Sequence, residues 1–193
     1  MTFTPVTGML LSDPQETDLF IRTVLLMPKF TDYLEIGSYC GGSLCMAAAN
    51  TDSGTLLYGV DPLSPIRLPR EDYPDYFHDV TLPVQALLAQ NLATLPDEDR
   101  ARIRLVPSLS APALPFLLRS LRIGCLLVDG GHTYEDVIAD SKYIEMVVPG
   151  GFIMFHDVGR PELPGVTKGV AEVAEQLKLR KIEQRGALVV YLK

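Results

Sequence analysis

The sequence predicts a single α/β domain built on a mostly parallel, seven-stranded sheet with helices on both faces. Three observations predict it. Short apolar runs alternate with helical patterns along the whole chain. Several of those runs, CLLV at 125–128 and FIMF at 152–155, are solidly apolar instead of alternating, as in strands covered on both faces. The tail reads as two strands, 181–184 and 187–192, joined by Arg185 and Gly186, where glycine accepts the positive φ of a tight turn.

At the N-terminus, within 1–30, Ser12 and Gln15 stand in capping-box spacing with Pro14 in the first turn. Leu19, Phe20, Thr23, Val24 and Met27 fall on one face, so an amphipathic helix is expected to end near Pro28. Strands follow at 33–36, 56–60, 103–106, 125–128 and 152–155. Helices lie between and after them at 42–50, 79–95, 111–121, 134–146 and 166–179, with right-handed crossovers. The stretch 61–79 breaks this rhythm, because Pro62, Pro65, Pro69 and Pro74 forbid long regular structure. A long loop at the carboxyl end of a parallel strand suits a cover over a site; Tyr73, Tyr76 and Phe77 suit a homodimer contact or surface packing equally well.

Composition sets the outer limits. A chain of 193 residues, 47% apolar, fits one domain, 1–193, with a sizeable core, and excludes a disordered tail. The net charge of −7 disfavours a nucleic-acid backbone or an anionic membrane as partner. No stretch approaches the roughly 20 apolar residues that span a bilayer, and the first residues lack the basic start of a signal peptide. The 3 cysteines have no metal-ligand spacing, and Cys45 and Cys125 lie in apolar runs, which fits a reducing cytoplasm.

Chemistry concentrates at four strand ends. YLEIGSYCGGS at 33–43 is an apolar strand carrying an acid, Glu35, then a glycine-rich turn (Gly37, Gly41, Gly42) opening a helix. A dinucleotide fingerprint requires glycine where Tyr39 stands, because a side chain there obstructs the pyrophosphate. No P-loop lysine follows, and no Gly-x-Ser-x-Gly elbow supports a hydrolase; Ser38 and Ser43 are placed for ligand contact instead. An acid at this strand end suits a cationic group, such as a sulfonium amino acid with its ammonium. Asp61 stands about 20 residues beyond the turn, at the tip of the second strand, where a carboxylate accepts from ribose hydroxyls; a plain Asp-Pro turn is the alternative.

The other two ends are VDGGHTYED at 128–136 and PGGFIMFHD at 149–157. Neighbouring parallel strands put Asp129 and Asp157 side by side at the edge where open α/β sheets bind ligands. Two such carboxylates repel unless a proton or a cation lies between them. Mg²⁺ or another hard divalent ion is the natural cation, with His156 completing and orienting the metal site. His132 projects from the loop after Asp129, and an imidazole of ordinary pKa, about 6.5, is suited to taking a proton from a hydroxyl. A capping role for Asp157 and a surface position for His132 are the plainer alternatives.

Taken together, these segments resemble the class I S-adenosylmethionine-dependent methyltransferases over nearly the whole chain. YLEIGSYCGGS corresponds to the first motif, GVDPL to the second-strand acid and IRLVPSLSAPAL to the third strand with its adenine-side loop. Within that superfamily, VDGGHTYEDVIAD followed by VVPGGFIMFHDV is similar to the small-molecule O-methyltransferase group that includes macrolide-sugar enzymes and proteins named cephalosporin hydroxylase.

The resemblance implies a Rossmann-like fold and S-adenosyl-L-methionine as cofactor. It places Glu35, Gly37, Ser38, Gly41 and Ser43 at the methionine end, Asp61 on the ribose, and Ser108, Leu109 and Ser110 near adenine. It puts Asp129 and Asp157 on a metal, with Asp129 and His132 in the catalytic centre and His132 as base. Two positions depart from the group: Gly131 replaces an acid, and His156 stands where relatives carry an acid before the final Asp. The implied reaction is methyl transfer to a hydroxyl of a small-molecule acceptor. An N-methyltransferase, an aminopropyl-type transferase and a non-catalytic nucleoside-binding protein are the rivals.

Overall fold

The computed structural model describes residues 13–63, 84–117 and 121–193. The first helix, α1 (Pro14–Leu25), buries Leu19, Phe20, Thr23 and Val24 as its periodicity requires, and Glu16 with them. Its cap is Asp13, whose side chain accepts from the Gln15 amide; the expected cap, Ser12, lies outside the described residues. Then follow β1 (Asp32–Ile36), α2 (Gly42–Asn50), β2 (Leu57–Val60), α3 (Val84–Ala93), a short α4 (Asp97–Arg100), β3 (Ile103–Val106) and α5 (Ser110–Leu117). The second half contains β4 (Ile123–Val128), α6 (Tyr134–Asp140), β5 (Val147–Phe155), α7 (Pro164–Gln176), β6 (Arg180–Arg185) and β7 (Leu188–Leu192).

The seven strands form one sheet in the order β3-β2-β1-β4-β5-β7-β6. The first five are parallel, and β7 runs antiparallel to both neighbours, which gives the expected closing hairpin. The strand order reverses between β1 and β4, so a crevice opens at their carboxyl ends. Every residue of β4 is buried, as its unbroken apolar run demands. One core, with Leu34, Ile36, Leu126, Val128, Ile153 and Phe155, packs under α6 and α7. The other, with Tyr33, Leu44, Leu127 and Met154, packs under α1 and α2.

Several boundaries differ from the sequence reading. The helix expected over 134–146 is α-helical only to Asp140 and continues as a 3-10 helix over Ser141–Met146. Strand β5 starts five residues before the expected 152, because Pro149 and Gly150 are accommodated at the irregular, partly exposed start of the strand. The helix expected from 79 is described from Val84, and most of the 61–79 loop lies outside the described residues. No helix among the described residues is long and apolar enough to cross a membrane.

Candidate active site

Strand register assembles the site. Ile36 pairs with Val60 on one side and Val128 on the other, and Val128 pairs with Phe155. The next residues, Asp61, Gly37, Asp129 and His156, therefore emerge together along one edge of the sheet. Asp129 stands level with His156, so Asp157 lies one residue further out than the sequence reading placed it.

The glycine-rich turn is shaped by backbone. Gly37 has φ +89, and a Cβ there would lie 2.1 Å from the Asp129 carbonyl oxygen, so only glycine lets the tips of β1 and β4 approach this closely. Gly41, also left-handed, starts α2 with no side-chain cap. Asp61 ties the turn to β2: its Oδ2 accepts from the Tyr39 amide at 2.8 Å and its Oδ1 from the Leu63 amide at 2.7 Å. Glu35 lies beneath the turn, wholly buried, where its Oε2 accepts from Ser43 Oγ at 2.8 Å and Tyr33 Oη at 2.9 Å. Burial raises the Glu35 carboxyl to about 7 against the hydrogen bonds of Ser38, Ser43 and Tyr33. Ser38 is buried as well.

Beyond the tip of β3, the Ser108 amide donates to the Asp61 and Val106 carbonyls, while Leu109 is exposed. The Ser110 carbonyl accepts from Tyr143 Oη at 2.6 Å, and the Ser110 side chain hydrogen-bonds the buried Asp140. Burial raises Asp140 to about 6. Its side chain packs close to Gly130 and accepts from the Gly131 amide, which joins the start of α5 to the turn after β4.

The β4 and β5 ends are shaped by side chains. A capping box between Thr133 and Asp136 starts α6 and fixes the loop that carries His132. His132 Nε2 lies 2.9 Å from Asp157 Oδ2, and Arg160 Nε lies 2.5 Å from Asp157 Oδ1. Asp157 is itself left-handed, with φ 60. His156 Nδ1 lies 3.4 Å from Asp129 Oδ1 and 3.4 Å from Asp157 Oδ1, and its Nε2 lies 3.1 Å from Glu16 Oε2.

Burial alone would lower the His156 pKa, but the charge of Asp129 and the carboxylates of Asp129, Asp157 and Glu16 close around the ring raise it to about 12. Burial likewise opposes ionisation of Asp157, and the hydrogen bonds of His132 and His156 overcome it, holding that carboxyl well below the usual range. Asp129, His156 and Asp157 each offer a ligand atom within 4.8 Å of the others. A small pocket over this cluster is lined by Asp129, His132 and Asp157 with Val137, Phe155 and Val166.

Two partners escaped the sequence reading. Glu16 stands in the first turn of α1, where an acid needs no further partner, yet it precedes Leu19 and Phe20 on the apolar stripe, and that phase is the available signal. Arg160, in the loop after β5, carries no pattern marking it before the fold is known.

Residues 34–158, more than half of the chain, match the model of a family described as a methyltransferase domain. No curated protein sequence matches. Among solved structures, the chain is similar to CalS11, a TDP-rhamnose 3′-O-methyltransferase of calicheamicin biosynthesis, at 20% identity and a TM-score of 0.58, covering 92% of this chain and 77% of that one. It is similar to the O-methyltransferase TomG of Streptomyces achromogenes at 18% identity and 0.61, covering 94% and 80%. It is also similar to an O-methyltransferase of Bacillus cereus at 13% identity and 0.64, covering 98% and 84%. At these identities the likeness is one of fold. With the family match running from β1 through Asp157, the chain belongs to the methyltransferase domain family.

Proposed function

We propose that the protein transfers the methyl group of S-adenosylmethionine to a hydroxyl of a small-molecule acceptor, a sugar, catechol or natural product. One observation carries this reading: the His132–Asp157 pair, at 2.9 Å, stands at the same sheet edge as the glycine-rich turn and Asp61. The comparisons support it. CalS11 acts on a TDP-sugar, TomG was solved with S-adenosylmethionine and the Bacillus cereus enzyme with S-adenosylhomocysteine.

In this reading Gly37, Ser38, Gly41 and Ser43, supported from below by Glu35, receive the methionine end beside Asp129. Asp61 accepts from the ribose hydroxyls, and Ser108, Leu109 and Ser110 flank adenine. The acceptor oxygen attacks the methyl carbon in line with the C–S bond, whose electron pair leaves with sulfur to give S-adenosylhomocysteine. With Nε2 directed at Asp157, His132 takes the acceptor proton at Nδ1, and Asp157 stabilises the imidazolium that forms. Alignment of oxygen and methyl carbon supplies about 7 to 11 kcal/mol of the barrier.

The donor set also fits a divalent cation such as Mg²⁺. Asp129 Oδ2 is buried without a hydrogen-bond partner, and with Asp157 and His156 it would hold the ion. When bound, the ion supplies Lewis-acid polarisation of the acceptor hydroxyl. Protonated His156, lying between the two acids, is the alternative cation, and it is favoured by the Glu16 contact at its second nitrogen. The three buried, unpaired cysteines agree with a reducing cytoplasm as the place of reaction.

Calorimetry with S-adenosylhomocysteine and with NAD tests the cofactor, and binding of the first alone is expected. Binding of NAD with no response to S-adenosylhomocysteine overturns the assignment. Methyl transfer measured with and without excess chelator then separates the divalent ion from the His156 proton.

A further inference from the structure

Glu16 lies outside the family-matched segment, in the first turn of α1, yet the residue is only 5% exposed and both its carboxylate oxygens are engaged. Oε1 accepts from the Ala187 amide at 2.6 Å, and Oε2 lies 3.1 Å from His156 Nε2. The hairpin turn is formed around this group: Gly186 has φ +51, and a Cβ there would lie 2.2 Å from Glu16 Oε1. Elements at the two ends of the chain thus meet at Glu16, which in turn contacts one ring nitrogen of His156. The other ring nitrogen faces Asp129 and Asp157 at 3.4 Å each, and Asp157 reaches His132 at 2.9 Å.

We propose that Glu16 is a positioning residue that orients the His156 ring and, through it, the carboxylates of Asp129 and Asp157 and the ring of His132. The proposal rests on the reading of His132 as the base. A carboxylate on one nitrogen of a histidine fixes which way its other nitrogen points, whether that nitrogen meets a carboxylate or a metal ion. The plainer role, a staple between α1 and the hairpin, uses only Oε1 and leaves the contact at Oε2 unexplained.

Glu16→Gln separates the two roles, since it keeps an acceptor for the Ala187 amide and removes the charge facing His156. The readout is the set of ring resonances of His132 in ¹⁵N spectra, which needs neither cofactor nor acceptor. The expected result is a cooperative melt close to wild type, displaced His132 resonances, and, once an acceptor is in hand, kcat lowered by about tenfold to a hundredfold with KM for S-adenosylmethionine unchanged.

In a His156→Gln background the same substitution is expected to move the His132 signals no further, as acting through His156 requires. Unmoved resonances in the single variant, or an equal displacement in both backgrounds, overturn the proposal. Should Glu16→Gln not fold, Gly186→Ala crowds the same carboxylate without removing it, and unchanged His132 signals there overturn it equally. Failure of wild-type protein to bind S-adenosylhomocysteine would remove the methyl-transfer reading but leave these spectra to decide the linkage.

Discussion

The two halves of the crevice are built differently. On the β1 and β2 side, Gly37, Tyr39, Gly41 and Asp61 form a cradle in which backbone geometry and amide-to-carboxylate bonds do the shaping. On the β4 and β5 side, charged side chains from α1, the loop after β4 and the loop after β5 interlock. The first half depends on what side chains are absent, and the second on which are present. A cradle of this kind is rigid and general for one ligand shape, whereas a charge cluster sets proton positions and can be retuned by a single residue.

The comparison breaks most severely at Gly37. Alanine there must move the Asp129 carbonyl from 2.1 Å, and that carbonyl belongs to the opposite half of the site. Gly37→Ala is expected to cost roughly 3 kcal/mol or more, a melting temperature lower by about 6 to 12 °C, and to abolish calorimetric binding of the cofactor. A variant with wild-type melting and affinity would show that the two strand tips can separate freely.

His132→Ala tests the other half, and its effect is on rate: turnover should fall by about a hundredfold or more while the melt and cofactor affinity stay near wild type. Asp157→Asn should act in the same direction, since it weakens the partner of the His132 ring at 2.9 Å. Full activity in both would leave the acids and His132 as structural groups.

This contrast also explains what was legible in the sequence. The glycine-rich turn could be read because Glu35 through Ser43 are contiguous and their residue types specify the geometry. The sheet could be read because runs such as CLLV have no other stable place than between two helical layers. The charge cluster was read only in part. Asp129, His132, His156 and Asp157 follow two recognisable strands, but Glu16 reaches His156 from 140 positions away in the sequence and Arg160 lies in a patternless loop. The break at Asp140 was missed because 3-10 and α-helical turns bury nearly the same phase of apolar residues, Tyr143, Ile144 and Met146.

At Asp61 the effect is smaller and confined to affinity. Its carboxylate holds the Tyr39 amide at 2.8 Å and is proposed to accept from ribose, so Asp61→Ala should weaken S-adenosylhomocysteine binding by roughly 1.5 to 3 kcal/mol with little change in kcat. Unchanged affinity would confine Asp61 to the turn.

The smallest expected effect tests whether the cradle half is free of titration, as its backbone construction suggests. Glu35 is the exception, a wholly buried carboxyl raised from 4.5 to about 7. Because its folded pKa lies above its unfolded one, the native state holds this proton between those values while the unfolded state has lost it. Stability therefore falls as pH rises through that window and levels off above about 7. Asp140, raised to about 6, pulls in the same direction, and His156, raised to about 12, does so above its unfolded value of 6.5. The difference between wild type and Glu35→Gln removes those shared contributions. The Gln variant should gain about 1 to 2 kcal/mol relative to wild type between pH 5 and pH 7, and nothing further above that, in denaturant titrations at fixed temperature. A parallel pair of curves would mean that Glu35 keeps its charge beneath the turn, and the cradle would then share the electrostatic character of the opposite half.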